Sequence, residues 1–79
     1  SESAFAHYIR KKTGKRFSDL LNEIRIGYAC KLLVNSNKNI SEIAFECGYN
    51  NISYFNRKFR ELKNLSPKSF KKEYQKNEA

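Results

Sequence analysis

Apolar residues recur along this chain at spacings of three, four and seven, and strict alternation is absent over any length. That period predicts helices and no strands. The first helix runs from about Glu2 to Thr13, with Ser1 as its N-cap and Gly14 as a left-handed stop. Phe5 and Ile9 make its core face, with Tyr8 beside them. The second runs from about Phe17 to Val34 and carries two apolar stripes. Phe17, Leu20, Leu21, Ile24, Tyr28 and Leu32 form one; Ile26, Ala29, Cys30 and Leu33 form the other, roughly opposite. A surface helix usually has one such stripe, so two predict a strut packed on both sides.

The run NSNKN at 35–39 breaks the pattern as a loop. A short third helix follows, from about Ser41 to Cys47, capped by Ser41 and ended by Gly48, with Ile43, Ala44 and Cys47 inward. Asn50 or Asn51 can cap the fourth, from about Ile52 to Lys63. Its core face is Phe55, Phe59 and Leu62, and its opposite face is Ser53, Asn56, Arg57 and Arg60. Ser66-Pro67 opens the fifth as an N-cap followed by proline at the first helical position. That helix reaches about Lys76, with Phe70 and Tyr74 inward.

A short helix, a glycine-bearing turn and a second helix with a polar outer face make a helix-turn-helix. The outer face carries chemistry suited to the major groove. Asn can bridge adenine N6 and N7, and Arg can bridge guanine O6 and N7. Ser53 and Asn56 lie near the helix N-terminus, the end that reaches base edges in such motifs.

Charge strengthens this reading. The 79 residues carry a net charge of +8, which points to a polyanionic partner. Basic residues cluster in RKKTGKR at 10–16 and again over 57–76. Arg10, Lys11, Lys15, Lys58, Arg60, Lys63 and Lys68 are the candidate phosphate contacts, with Lys12, Arg16, Lys71 and Lys72 on the same flanks.

Length predicts one small domain, residues 1–79, burying about 60% of its unfolded surface. No apolar run is long enough to span a membrane, and no signal-peptide core is visible. Cys30 and Cys47 are far apart with no CxxC, and His7 is the single histidine, so neither a zinc site nor any cofactor is expected. The cysteines read as small core residues of a reduced, intracellular protein. No nucleophile motif, phosphate loop or carboxylate pair accompanies His7, and no enzyme is expected. The competing reading is a basic helical module that docks non-specifically on proteins or an anionic surface. It lacks a Lys-rich amphipathic helix with exposed Trp or Phe.

The chain also repeats itself at an offset of 50. Ser3, Phe5, Ile9, Arg10, Gly14 and Leu20 correspond to Ser53, Phe55, Phe59, Arg60, Asn64 and Phe70. The outer face of the first helix is therefore Ser3, Ala6, His7 and Arg10, mirroring Ser53, Asn56, Arg57 and Arg60. A strut of about 27 Å between two such helices suits successive major grooves about 34 Å apart.

Gly48-Tyr49, Asn51, Ser53-Tyr54-Phe55, Arg57, Phe59-Arg60 and Ser66-Pro67 resemble the signature of AraC/XylS-type bacterial transcription regulators. The stretch KKTGKRFSDLLNEIRIGYACKLL resembles that family's linker region. The resemblance covers nearly the whole chain. It implies an all-α fold: a homeodomain-like three-helix subdomain at 40–76, a linker helix at 17–34, and a partial subdomain represented by a recognition helix at 1–14. It also implies binding of promoter DNA in the bacterial cytoplasm, at the nucleoid, for transcription control, often as an activator contacting RNA polymerase. Ser3, Ala6 and His7 stand where the family's first recognition helix reads bases; Ile52, Ser53, Asn56 and Arg57 stand where the second does. The chain departs from the family pattern by lacking the two helices before the first recognition helix. It also has Arg16 in place of the usual capping Ser, Asn64 where glycine is common and Phe70 where Tyr is common. Phe5, Tyr8, Ile9 and the second strut stripe are expected to lose their cover. Residues 1–13 are then expected to dock unusually or to mediate self-association.

Overall fold

Phe55 and Phe59 stand one helical turn apart and both are fully buried. Around them lie Ile26, Ala29 and Leu33 from one helix, Ile43, Ala44 and Cys47 from another, and Tyr49 from a turn. The computed structural model describes residues 2–75 and builds them into five helices. These are α1 (Glu2–Thr13), α2 (Phe17–Asn35), α3 (Ile40–Glu46), α4 (Ile52–Lys63) and α5 (Pro67–Gln75). There is no strand among the described residues. The arrangement is all-α: α3, α4 and α5 pack on the long strut α2, and α1 packs at the strut's beginning. The molecule is elongated, 47 × 22 × 18 Å.

Local signals set most helix ends. Asn39, not Ser41, caps α3, and it does so through a capping box. Its side chain accepts the Glu42 N–H at 2.8 Å, and the Glu42 carboxylate accepts the Asn39 N–H at 2.9 Å. Two satisfied donors outweigh the single one that a serine cap offers. Asn51 caps α4 by accepting the Tyr54 N–H at 2.9 Å. Ser66 caps α5 by accepting the Ser69 N–H at 3.1 Å. Arg16 precedes α2 with no side-chain cap. The expected Ser1 cap and the expected end of the last helix at Lys76 lie outside the described residues.

The internal repeat extends to the backbone. α1 and α4 share the offset of 50 at both ends, as do the starts of α2 and α5. Gly14 and Asn64 both take left-handed φ, at 76° and 62°. In each case their N–H closes on a carbonyl four residues back, Arg10 or Arg60. Gly48, at φ 96°, is held to glycine by its backbone conformation, and a Cβ there would also press on the Arg25 guanidinium at 3.0 Å.

The structure reverses the assignment of the strut's stripes. The second stripe, through Ile26, Ala29 and Leu33, is the buried one and carries the core. The first stripe is open along Ile24, 68% exposed, Tyr28 and Phe17, while Leu20 and Leu21 are half-buried and Leu32 packs against the core. The side-chain pattern of α2 alone cannot say which stripe finds a partner. α3, α4 and α5 all return to one side. Phe5 and Tyr8, on the core face of α1, are exposed, as expected of residues that lose their cover, and Ile9 is half-buried. α1 docks mainly through the edge-to-face contact of Phe5 with Phe17, ring centroids 5.4 Å apart. Leu62 and Tyr74 are also more exposed than their spacing implies. Leu62 borders an open cleft beside Glu23 and Ile26 of the strut. Tyr74 instead stacks on Phe70, at 4.5 Å, and Phe70 in turn meets Phe59 edge-on at 5.4 Å.

Cys47 is buried and Cys30 packs against the core; both are free thiols. Burial pushes the Cys47 thiol up to about 11, with the neighbouring Glu46 carboxylate adding to the shift, so it stays protonated at neutral pH.

The fold makes one contrast testable by urea denaturation. Phe59→Ala should cost about 3–5 kcal/mol. Ile24→Ala, on the open stripe, should change the stability of the monomer, measured at low protein concentration, by less than about 0.5 kcal/mol.

Candidate nucleic-acid interface

Burying Phe55 and Phe59 turns the rest of α4 outward. Ser53, Asn56, Arg57 and Arg60 are all exposed, and Ile52 is 37% exposed at the helix start. Asn56, Arg57 and Arg60 line a cleft closed on its other side by Ile40 and by the first turn of α5, at Ser66, Pro67 and Lys68. The free amide groups at a helix start carry partial positive charge. With Arg60 and Lys68 beside them, this cleft favours an anion such as a backbone phosphate.

α1 repeats the arrangement. Ser3, His7 and Arg10 are exposed and Ala6 is half-buried. Ala6, His7 and Arg10 line a second cleft, closed by Arg16 and Phe17 at the start of α2. Those five residues are the counterparts, at the offset of 50, of Asn56, Arg57, Arg60, Ser66 and Pro67. The two clefts are lined from corresponding positions but differ in chemistry. The α4 face offers an amide and a guanidinium. The α1 face offers a methyl group and an imidazole.

The candidate phosphate contacts divide into two groups. Arg10, Lys11, Arg60, Lys63 and Lys68 are exposed on the flanks of these faces. Lys15 is paired with Glu23 at 2.9 Å, and Lys58 with Glu61 at 3.3 Å. Such surface pairs are worth about 0–1 kcal/mol, so a phosphate can displace the carboxylate. Lys71 is committed elsewhere: its ammonium donates to the Lys38 carbonyl at 3.2 Å, tying α5 to the α2–α3 loop.

Sequence reasoning missed the support beneath α4. The Arg57 guanidinium lies over the Tyr54 ring, 5.2 Å from its centroid. Lys58 reaches the same ring at 5.7 Å. The Arg25 guanidinium lies over Tyr49 at 5.6 Å and braces the turn. The spacing of Tyr54 and Arg57, three residues apart on one helix, was the available signal.

A helix-turn-helix domain model matches residues 1–73. The chain belongs to the AraC-type helix-turn-helix family. Within it, the chain is 34% identical over 74 residues to an HTH-type transcriptional regulator of Pseudoalteromonas carrageenovora, covering 94% of this chain and 43% of that protein. It is 41% identical over 54 residues to the virulence regulon transcriptional activator VirF of Shigella flexneri, covering 68% of this chain and 21% of VirF. The chain thus spans less than half the length of these relatives. Among solved structures, it is similar to the DNA-binding domain of AdpA, a global transcriptional factor, solved in complex with a target DNA. The TM-score is 0.88 at 26% identity, over 98% of this chain and 69% of that one.

The cap of α4 yields a prediction for this AraC-type domain. Asn51→Ala leaves the Tyr54 N–H without its acceptor and should cost about 1 kcal/mol. Amide exchange in the first turn of α4 should accelerate more than exchange at Phe59.

Proposed function

We propose that this chain binds duplex DNA sequence-specifically and regulates transcription. α4 lies in the major groove, and α1 lies in the next groove along. The observation that carries this reading is the outward face of α4, where Ser53, Asn56, Arg57 and Arg60 stand exposed while Phe55 and Phe59 hold the opposite face. Asn56 bridges an adenine and Arg57 a guanine; Ile52 and Ser53 touch bases at the helix start. On α1, Ser3 and His7 donate to bases and Ala6 meets a thymine methyl. Arg10, Lys11, Lys15, Lys58, Arg60, Lys63 and Lys68 hold phosphates. The long dimension of 47 Å accommodates two grooves about 34 Å apart. Family membership and the likeness to the AdpA domain support the same reading. The chain would act in the bacterial cytoplasm as an activator contacting RNA polymerase, which in-vitro transcription from a selected site would test.

Random-site selection on duplex DNA should return a preferred sequence. Asn56→Ala and Arg57→Ala should each cost about 1–3 kcal/mol and relax preference at one base position. Lys63→Ala should weaken every sequence alike and reduce the salt slope by about one. Equal, sequence-independent losses from all three would instead support the non-specific basic module.

The open apolar stripe of α2 carries a second proposal, that two copies of the chain pair through Ile24 and Tyr28. Sedimentation equilibrium should show concentration-dependent dimers that Ile24→Glu abolishes. A strict monomer at the highest concentration measured would overturn it.

A further inference from the structure

Asn22 is the buried polar residue of the described structure, 9% exposed and set on the strut's packed stripe. A buried amide must find hydrogen-bond partners, and both of Asn22's lie on the helix-turn-helix. Its Oδ1 accepts from the Tyr49 hydroxyl at 2.6 Å, and its Nδ2 donates to the Tyr54 hydroxyl at 3.4 Å. The two phenol rings lie 6.0 Å apart. Tyr49 also packs against Phe55, at 5.3 Å. Tyr54 is therefore tethered at both ends: its backbone N–H by the Asn51 cap at 2.9 Å and its hydroxyl by the longer bond to the strut. The exposed face of this tethered ring carries the Arg57 guanidinium.

We infer that Asn22 and Tyr54 are positioning residues for Arg57: the strut's amide locks the Tyr54 ring, and the ring holds the Arg57 guanidinium ready for its base. The physical reason is the long, flexible arginine side chain. Free in solution it samples many rotamers, and ordering them on binding opposes affinity. Holding the cation over a tethered ring removes part of that disorder beforehand and narrows the directions the guanidinium can take. The Arg57 side chain also lines the cleft shared with Asn56 and Arg60, where an incoming base edge would meet it. A contact that depends on angle as well as charge then discriminates bases rather than attracting phosphates alone. Lys58 shares the ring but, as a point charge, gains no such orientation.

This inference rests on the proposed DNA reading and is tested so that the two can fail separately. The chain's affinity is measured by fluorescence anisotropy on its selected duplex and on a duplex altered at the base that Arg57 reads. Tyr54→Leu should shrink the ratio of the two affinities by about tenfold while leaving the salt slope unchanged. In an Arg57→Ala background, Tyr54→Leu should leave that ratio unchanged, the signature of coupled residues. Tyr54→Phe keeps the ring and loses the bond to Asn22; a partial loss of the ratio is expected, and full retention would overturn the role of Asn22. In the free protein, the Arg57 Hδ protons should show an upfield ring-current shift in the NMR spectrum that Tyr54→Leu abolishes. A Tyr54→Leu loss equal on both duplexes, or additive with Arg57→Ala, would overturn the positioning role. Absence of any preferred duplex for the unaltered chain would instead overturn the DNA reading itself.

Discussion

The burial of Phe55 and Phe59 against one stripe of the strut is the contact on which the other features depend. Each ring removes a large apolar area from water, worth about 1.5–3 kcal/mol per side chain. Because a helix is rigid, fixing one face fixes the opposite one. The polar face of α4 is exposed because its aromatic face has no alternative place to go. The Gly48 turn and the Asn51 cap then set where along the helix that exposed face begins.

The strut does more than separate two helices. On one side it supplies Ile26, Ala29 and Leu33 to the core. From the same side Asn22 and Arg25 reach the two tyrosines of the helix-turn-helix. Its other side stays open along Ile24 and Tyr28. A single helix thus sets the mechanical frame of the proposed reading head and leaves an apolar surface free for contact. The α1 end repeats the geometry of α4 with far less support, since its aromatic face meets chiefly Phe17.

Much of this was legible in the chain. Helix boundaries followed from Gly14, Gly48 and Ser66-Pro67, and the left-handed position of Asn64 followed from its match to Gly14. The outward placement of Asn56 and Arg57 followed from the spacing of Phe55 and Phe59. Three features were missed, two for a tertiary reason and one, the cap of α3, for a local one. Which stripe of the strut is buried depends on the side to which α3–α5 return. Ser41 and Asn39 are both good caps, and the Asn39–Glu42 spacing of a capping box was the signal that favours Asn39. Asn22 precedes Ile26, Ala29 and Leu33 at helical spacing, but nothing in its own residue type marks it as buried. Its burial shows only once Tyr49 and Tyr54 arrive to satisfy it.

The central claim is that the outer face of α4 enters duplex DNA. The most direct measurement is an NMR titration of the isotopically labelled chain with its selected duplex. The largest shift changes are expected at Ser53, Asn56, Arg57 and Arg60, a second set at His7 and Arg10, and little change at Ala29 and Leu33. Shift changes confined to Ile24 and Tyr28, with α4 unmoved, would contradict it.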